Sequence, residues 1–185
     1  MAQQTFKIAD STKVELLTSG DGINRIQSII LANIHSSAAT IDLYLVSQIA
    51  RDDLSGVKIT DTGTDANESD NAATTSSVTL TVDGTAATDD VFTNEKVWKS
   101  DGTLFGTCTA RNSNTEIVFG GGLSQTLANN DSLYVGTKYY IFKSLVLPTG
   151  QTVKMESDEI SFDNRIYNLY VKLAGTTPVD VIINY

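Results

Sequence analysis

The chain has 185 residues, of which 41% are apolar and 19% charged, with one cysteine and a net charge of −9. This composition excludes a disordered chain and leaves room for one large or two small domains with a buried core. The lone Cys108 excludes an internal disulfide, and no apolar run approaches the roughly 18 residues of a membrane-spanning helix.

Residues 1–12, MAQQTFKIADST, read as an arm without the apolar stretch of a secretory signal. VELLT (Val14–Thr18) is a short strand ahead of the turn Ser19-Gly20-Asp21-Gly22. Ile23–Ile34, INRIQSIILANI, reads as a central sandwich strand, with Ile26, Ile30, Ala32 and Ile34 on one face and Ile29 and Leu31 on the other. Its β-branched density argues against a helix. TIDLYLV (Thr40–Val46) alternates in turn, and the two runs joined through His35-Ser36-Ser37 predict a hairpin.

Residues 51–76 are polar, acidic and weakly periodic, which predicts a linker or long surface loop. Strand signals resume at VTLTV (Val78–Val82). NEKVWK and LFGTCTA (Leu104–Ala110) flank Ser100-Asp101-Gly102, where Asp-Gly suits a primed hairpin turn. Gly106 suggests a bulge. EIVFG (Glu116–Gly120) follows, LSQTLANND is a helical turn or a loop, and SLYVG closes the segment. YYIFKSLVL (Tyr139–Leu147) runs into Pro148-Thr149-Gly150, a type I turn with proline second and glycine fourth. QTVKM, RIYNLYVKL (Arg165–Leu173) and VDVIINY (Val179–Tyr185) complete the set. The last strand is expected to be tied into a sheet.

The expected fold is all-β: a discontinuous, jelly-roll-like β-sandwich of residues 1–50 and 138–185, with an acidic β-rich module, 51–137, inserted between its strands. Charge supports the division. Residues 1–50 carry 3 basic and 4 acidic groups, 51–137 carry 5 and 13, and 138–185 carry 5 and 5. The acidic middle argues against nucleic-acid binding, which needs clustered Lys and Arg, and favours exposure of the module to water.

SIILANIHSSAATIDLYLV, LVLPTGQTVKM and NLYVKLAGTTPVDVIINY resemble a pattern of tailed-bacteriophage structural proteins, over about half the chain. KVWKSDGTLFGT, TEIVFGGG and LANNDSLY are similar to a module of phage virion proteins, those of cyanophages in particular. The resemblance implies a structural component of a virion, on the capsid surface or in the neck or tail, and it implies no catalytic residue.

The residues themselves carry little chemistry. His35, the single histidine, sits in a turn, and no GxSxG elbow accompanies it. Cys108 reads as a small buried hydrophobe. One His and one Cys cannot build a zinc site of usual composition within one chain. Asp61, Asp65, Asn67, Glu68 and Asp70 could converge on a hard cation, yet they fail the EF-hand pattern and read as a solvated loop. Gly120-Gly121-Gly122 lacks the Lys-Ser/Thr of a phosphate loop. Trp98 and the seven tyrosines read as cross-strand packing partners rather than a sugar platform.

No catalytic, cofactor-binding or metal-binding residue is therefore assigned, and no enzyme activity is expected. The expectation is a virion protein that decorates or reinforces the capsid through its sandwich, with the insert exposed. The alternatives are a neck, tail or baseplate adaptor, and a receptor- or glycan-binding module. The expected partners are other virion structural proteins and further copies of the chain, because a sandwich this small gains by burying edge strands. No nucleic acid and no membrane is expected as a partner.

Overall fold

The computed structural model describes residues 2–11, 13–23, 25–58, 78–81, 95–113, 116–120, 132–160 and 162–185. The protein is all-β. Its strands are β1 (Gln3–Ile8), β2 (Val14–Leu17), β3 (Ser28–Ala32), β4 (Ala39–Lys58), β5 (Val78–Thr81), β6 (Lys96–Lys99), β7 (Leu104–Ser113), β8 (Glu116–Phe119), β9 (Ser132–Leu147), β10 (Thr152–Glu156), β11 (Tyr167–Leu173) and β12 (Val179–Asn184). The chain divides into two compact units, Met1–Ile49 with Thr137–Tyr185, and Ala50–Gly136.

The first unit is a β-sandwich of two four-stranded layers. One layer has the order β1-β12-β3-β10, and the other β2-β11-β4-β9. Counted without the second unit, its eight strands form the adjacent pairs first–eighth, second–seventh, third–sixth and fourth–fifth. This is a jelly roll: one long hairpin rolled up so that successive pairs fall in alternate layers. Its tip lies between β4 and β9, and Ala50–Gly136 is inserted in the chain between those two strands' sandwich segments.

Period-two alternation builds the core between the layers. On β12 Val179, Val181 and Ile183 are fully buried, while their neighbours are only partly covered. Ile29 and Leu31 of β3, Ile41 and Leu43 of β4, and Leu169 and Val171 of β11 join them in one cluster. Every residue of that cluster belongs to the first unit.

Several expectations are corrected here. The 1–12 arm contains β1, paired with β12 from Gln3↔Asn184 to Ile8↔Val179. With only Phe6 and Ile8 apolar, its backbone ladder rather than its composition holds it. The strand expected over Ile23–Ile34 is confined to Ser28–Ala32. β3 and β4 do not form a hairpin. β3 pairs with β10 and β12, whereas β4 pairs with β11, so His35-Ser36-Ser37 crosses between layers. The linker expected from residue 51 starts as strand, because β4 continues to Lys58. SLYVG and YYIFKSLVL, read as separate strands, are one strand, β9. Residues 59–76 and LSQTLANND lie outside the described residues.

In the second unit the strand order is β9-β6-β7-β8-β5. Among the described residues, its buried apolar side chains are Val97, Trp98, Phe105, Cys108, Ile117, Phe119, Leu133 and Val135, with the Phe105 and Phe119 rings edge to face at 5.0 Å. A bulge does fall beside Gly106: Val97 faces Gly106 and Trp98 faces Leu104, so Phe105 is the extra residue.

The turn at Asp101-Gly102 is not primed. Gly102 has φ 86° and Asp101 is not in the left-handed region. Gly102 N–H donates to Lys99 O at 3.0 Å and Lys99 N–H to Thr103 O at 2.9 Å. This is a three-residue loop closed by a left-handed glycine. The Pro148 turn also shifts: Gln151 N–H donates to Pro148 O at 3.2 Å and Gly150, at φ 72°, takes the third position, where a type II turn needs positive φ.

Gly102→Ala is expected to destabilise the second unit by about 1–2 kcal/mol, the cost of left-handed backbone for an L-residue. The new Cβ would also lie 2.7 Å from Arg51 Nη1 and displace a guanidinium that sits 4.8 Å above the Trp98 ring. Urea unfolding followed by Trp98 fluorescence measures the loss, and an unchanged midpoint refutes it.

Candidate functional site

The residues expected to have no chemistry are dispersed. His35 lies in the β3–β4 crossing, where its backbone N–H donates to Asn33 Oδ1 at 3.0 Å. Cys108 is fully buried on β7, its thiol donating to Ala110 O at 3.3 Å. Trp98 is buried beneath Arg51 rather than offered as a platform. The acidic run Asp61, Asp65, Asn67, Glu68 and Asp70, with Gly121 and Gly122, lies outside the described residues. Among the described residues, no group of three or more His, Cys, Asp and Glu is placed to hold a metal ion.

Two polar arrangements were not anticipated from the sequence. The first is Asn33, fully buried where the two layers meet. Its Nδ2 donates to Ser37 O at 2.8 Å and to Leu147 O at 2.9 Å. Its backbone N–H donates to Gln151 O at 3.0 Å, and its carbonyl accepts from Gly150 N–H at 2.7 Å. One side chain thus ties the β3–β4 crossing to the β9–β10 crossing. Its chain neighbour Ile34 and the Leu147 neighbour Val146 stand 69% and 59% exposed, so apolar side chains flank this joint on the outside.

The second arrangement lies on the outer face of the β2-β11-β4-β9 layer. Tyr170 and Tyr44 face each other across β11 and β4, both buried, with ring centroids 6.0 Å apart. Tyr140 of β9 leans on Tyr44 at 5.3 Å and remains 44% exposed. Lys13 Nζ sits 4.1 Å over the Tyr170 ring. The Tyr170 hydroxyl donates to Glu15 Oε2 and accepts from Asn168 Nδ2. The short edge strand β2 is thereby riveted to β11 by polar groups as well as by its ladder.

Ser144 of β9 has φ 55°, and its N–H donates to Asp42 Oδ1 of β4 at 2.6 Å. A non-glycine residue in this region is strained, and here it interrupts a strand rich in Tyr, Ile, Phe and Leu. Such irregularities blunt strand edges against uncontrolled pairing.

In the β10–β11 connection, Arg165 Nε and Nη2 donate to Asp163 at 2.9 and 2.7 Å, and Arg165 N–H donates at 3.0 Å. These side-chain bonds first, and the backbone bond second, hold the Asp163 carboxyl at about 2, below its ordinary 3.8. A lowered folded value stabilises above the unfolded value and is lost as pH falls through the folded one, so this contribution should fade between about pH 4 and pH 2. NMR titration of the Asp163 carboxyl should give a midpoint near 2, rising in Arg165→Met. A midpoint near 3.8 in the unaltered chain would contradict the fork.

Comparison with protein-family models, with curated proteins and with solved structures finds no match.

Proposed function

We propose that this chain is a structural component of a virus particle of the tailed-phage type, which decorates or reinforces the capsid surface through its jelly roll. The observation that carries the proposal is the jelly-roll strand order, with a second β-unit inserted in the chain between its fourth and fifth strands. Viral capsid proteins are among the users of this architecture, along with lectins and cupins, so the fold supports the reading without deciding it. The resemblance of SIILANIHSSAATIDLYLV and KVWKSDGTLFGT to phage virion segments adds the particle type. The acidic middle of the chain suits a part turned to water, and the exposed Ile34 and Val146 suit a contact with a neighbouring protein.

Quantitative mass spectrometry of purified particles tests the proposal. Copies on the order of hundreds per particle are expected, as capsid symmetry generates. A small ring-like number would move the chain to the neck, tail or baseplate. Absence from the particles overturns the reading.

A further inference from the structure

We infer that β1 is the strand through which two copies of this chain pair, edge to edge and antiparallel about Thr5, joining their β1-β12-β3-β10 layers into one continuous sheet. The inference rests on the sandwich alone and is independent of the virion reading.

The sandwich has four edge strands, β1 and β10 in one layer and β2 and β9 in the other. An open edge is a row of unpaired N–H and C=O groups, and proteins blunt the edges they do not use. Three of these edges are blunted. β2 is four residues long, and its ladder with β11 shifts between Leu169 and Tyr170. β9 is broken by Ser144 at φ 55°. On β10 the bond from Asn33 N–H to Gln151 O turns the odd-numbered residues toward β3, so Thr152, Lys154 and Glu156 point their backbone groups outwards. There Glu159 Oε2 accepts from Glu156 N–H at 2.9 Å and closes that end of the edge.

β1 is different. Its register with β12 runs from Gln3 to Ile8 without a shift. Ala2 and Tyr185 exchange both backbone bonds, at 2.8 and 3.0 Å, so Gln4, Phe6 and Ile8 aim their ladder groups at β12 while Gln3, Thr5 and Lys7 aim theirs outwards. Those three residues are exposed, and their outward groups have no partner among the described residues.

Symmetry and charge select a second copy as the occupant. An antiparallel copy centred on Thr5 pairs Gln3 with Lys7, Thr5 with Thr5, and Lys7 with Gln3, so one pairing fills both open edges. Moving the axis one residue either way pairs Lys7 or Gln3 with a residue outside β1. Opposed threonines are a favourable cross-strand pair. Lys7, the only charge on β1, lies beside Asp180 in its own sheet and faces the neutral Gln3 of the copy, so no like charges meet. On the other face Phe6, only partly covered, comes opposite Gln4 of the copy. Residues 1–50 and 138–185 together carry 8 basic and 9 acidic groups, so the sandwich has almost no net charge to repel its copy.

Analytical ultracentrifugation of the full chain over a concentration series tests this. A monomer–dimer equilibrium is expected, with no larger species. Amide exchange at Gln3, Thr5 and Lys7 should slow as the dimer fills. Thr5→Pro removes an outward N–H that the β12 ladder does not use, and should weaken the dimer about tenfold or more at an unchanged thermal midpoint. Should that variant misfold, charge decides: Thr5→Lys and Thr5→Glu should each be monomeric where the unaltered chain dimerises, and their mixture should dimerise again. A chain that stays monomeric up to about 1 mM overturns the inference and leaves the edge to another protein's strand. A trimer or larger ring, a dimer indifferent to Thr5→Pro, or a Lys and Glu mixture that stays monomeric overturns it as well.

Discussion

Asn33→Ala should cost about 2–4 kcal/mol, although the substitution removes only one small polar side chain. The buried Leu147 carbonyl, the Ser37 carbonyl and the His35 N–H all lose their partner at once. Leaving a buried donor or acceptor unpaired costs about 1–3 kcal/mol, and water can reach part of this joint from the Ser37 side. For a chain of this size each kcal/mol is about 2–4 °C, so a thermal midpoint lower by about 4–16 °C is expected. Asn33→Asp should be worse at neutral pH. It keeps the acceptor toward His35 but turns a carboxylate oxygen toward two carbonyls, and part of the loss should return as acid protonates it. Ser36→Ala, at an exposed position of the same crossing, is the control. If Asn33→Ala melts with the unaltered chain, the two crossings are held by their backbone bonds alone.

Asn33 also marks where the sequence stops being legible. Alternation located Val179–Asn184, Thr152–Glu156 and the core faces of β4 and β11, because one-sided burial writes a period of two into the residues. Alternation carries no information about which strands pair. In this jelly roll each early strand pairs with a late one, so nearness in the chain misled at β3 and β4, whose short link crosses between layers instead of turning back. β1 was invisible for a different reason: an edge strand with two apolar residues gains chiefly from its ladder with β12. Tyr44 and Tyr170 are a cross-strand pair, as expected of the tyrosines, but that Glu15, Asn168 and Lys13 gather around the Tyr170 end is visible only in three dimensions.

Replacing residues 52–136 with a short Gly-Ser link should leave a chain that folds and still attaches to its partner assembly. The long hairpin of the jelly roll explains why. β4 and β9 are neighbours in one layer, and Ala50–Gly136 is the stretch of chain inserted between their sandwich segments. Shortening a connection at such a tip breaks no pairing between the other strands. Among the described residues, the apolar cluster that holds the two layers contains nothing from Ala50–Gly136. Loop closure should even favour the short form. Each doubling of a flexible connection costs about 0.6 kcal/mol, so removing about four doublings returns at most about 2 kcal/mol, and less to the extent that the second unit is itself ordered. Against this stands the loss of strand beyond Ile49 and before Thr137, where β4 and β9 would fray. The expected net change in stability is therefore small, within about 2 kcal/mol of the full chain. The charge consequence is larger: thirteen acidic and four of the five basic groups of residues 51–137 leave, since Arg51 stays, and the shortened chain approaches neutrality. Its solubility should fall near neutral pH even as its fold persists. Far-UV circular dichroism, a thermal melt and co-sedimentation with purified particles read the three outcomes separately. A folded, attached chain assigns the acidic unit to exposure. An unfolded chain makes that unit part of the sandwich core, and a folded chain that no longer attaches makes it the interface.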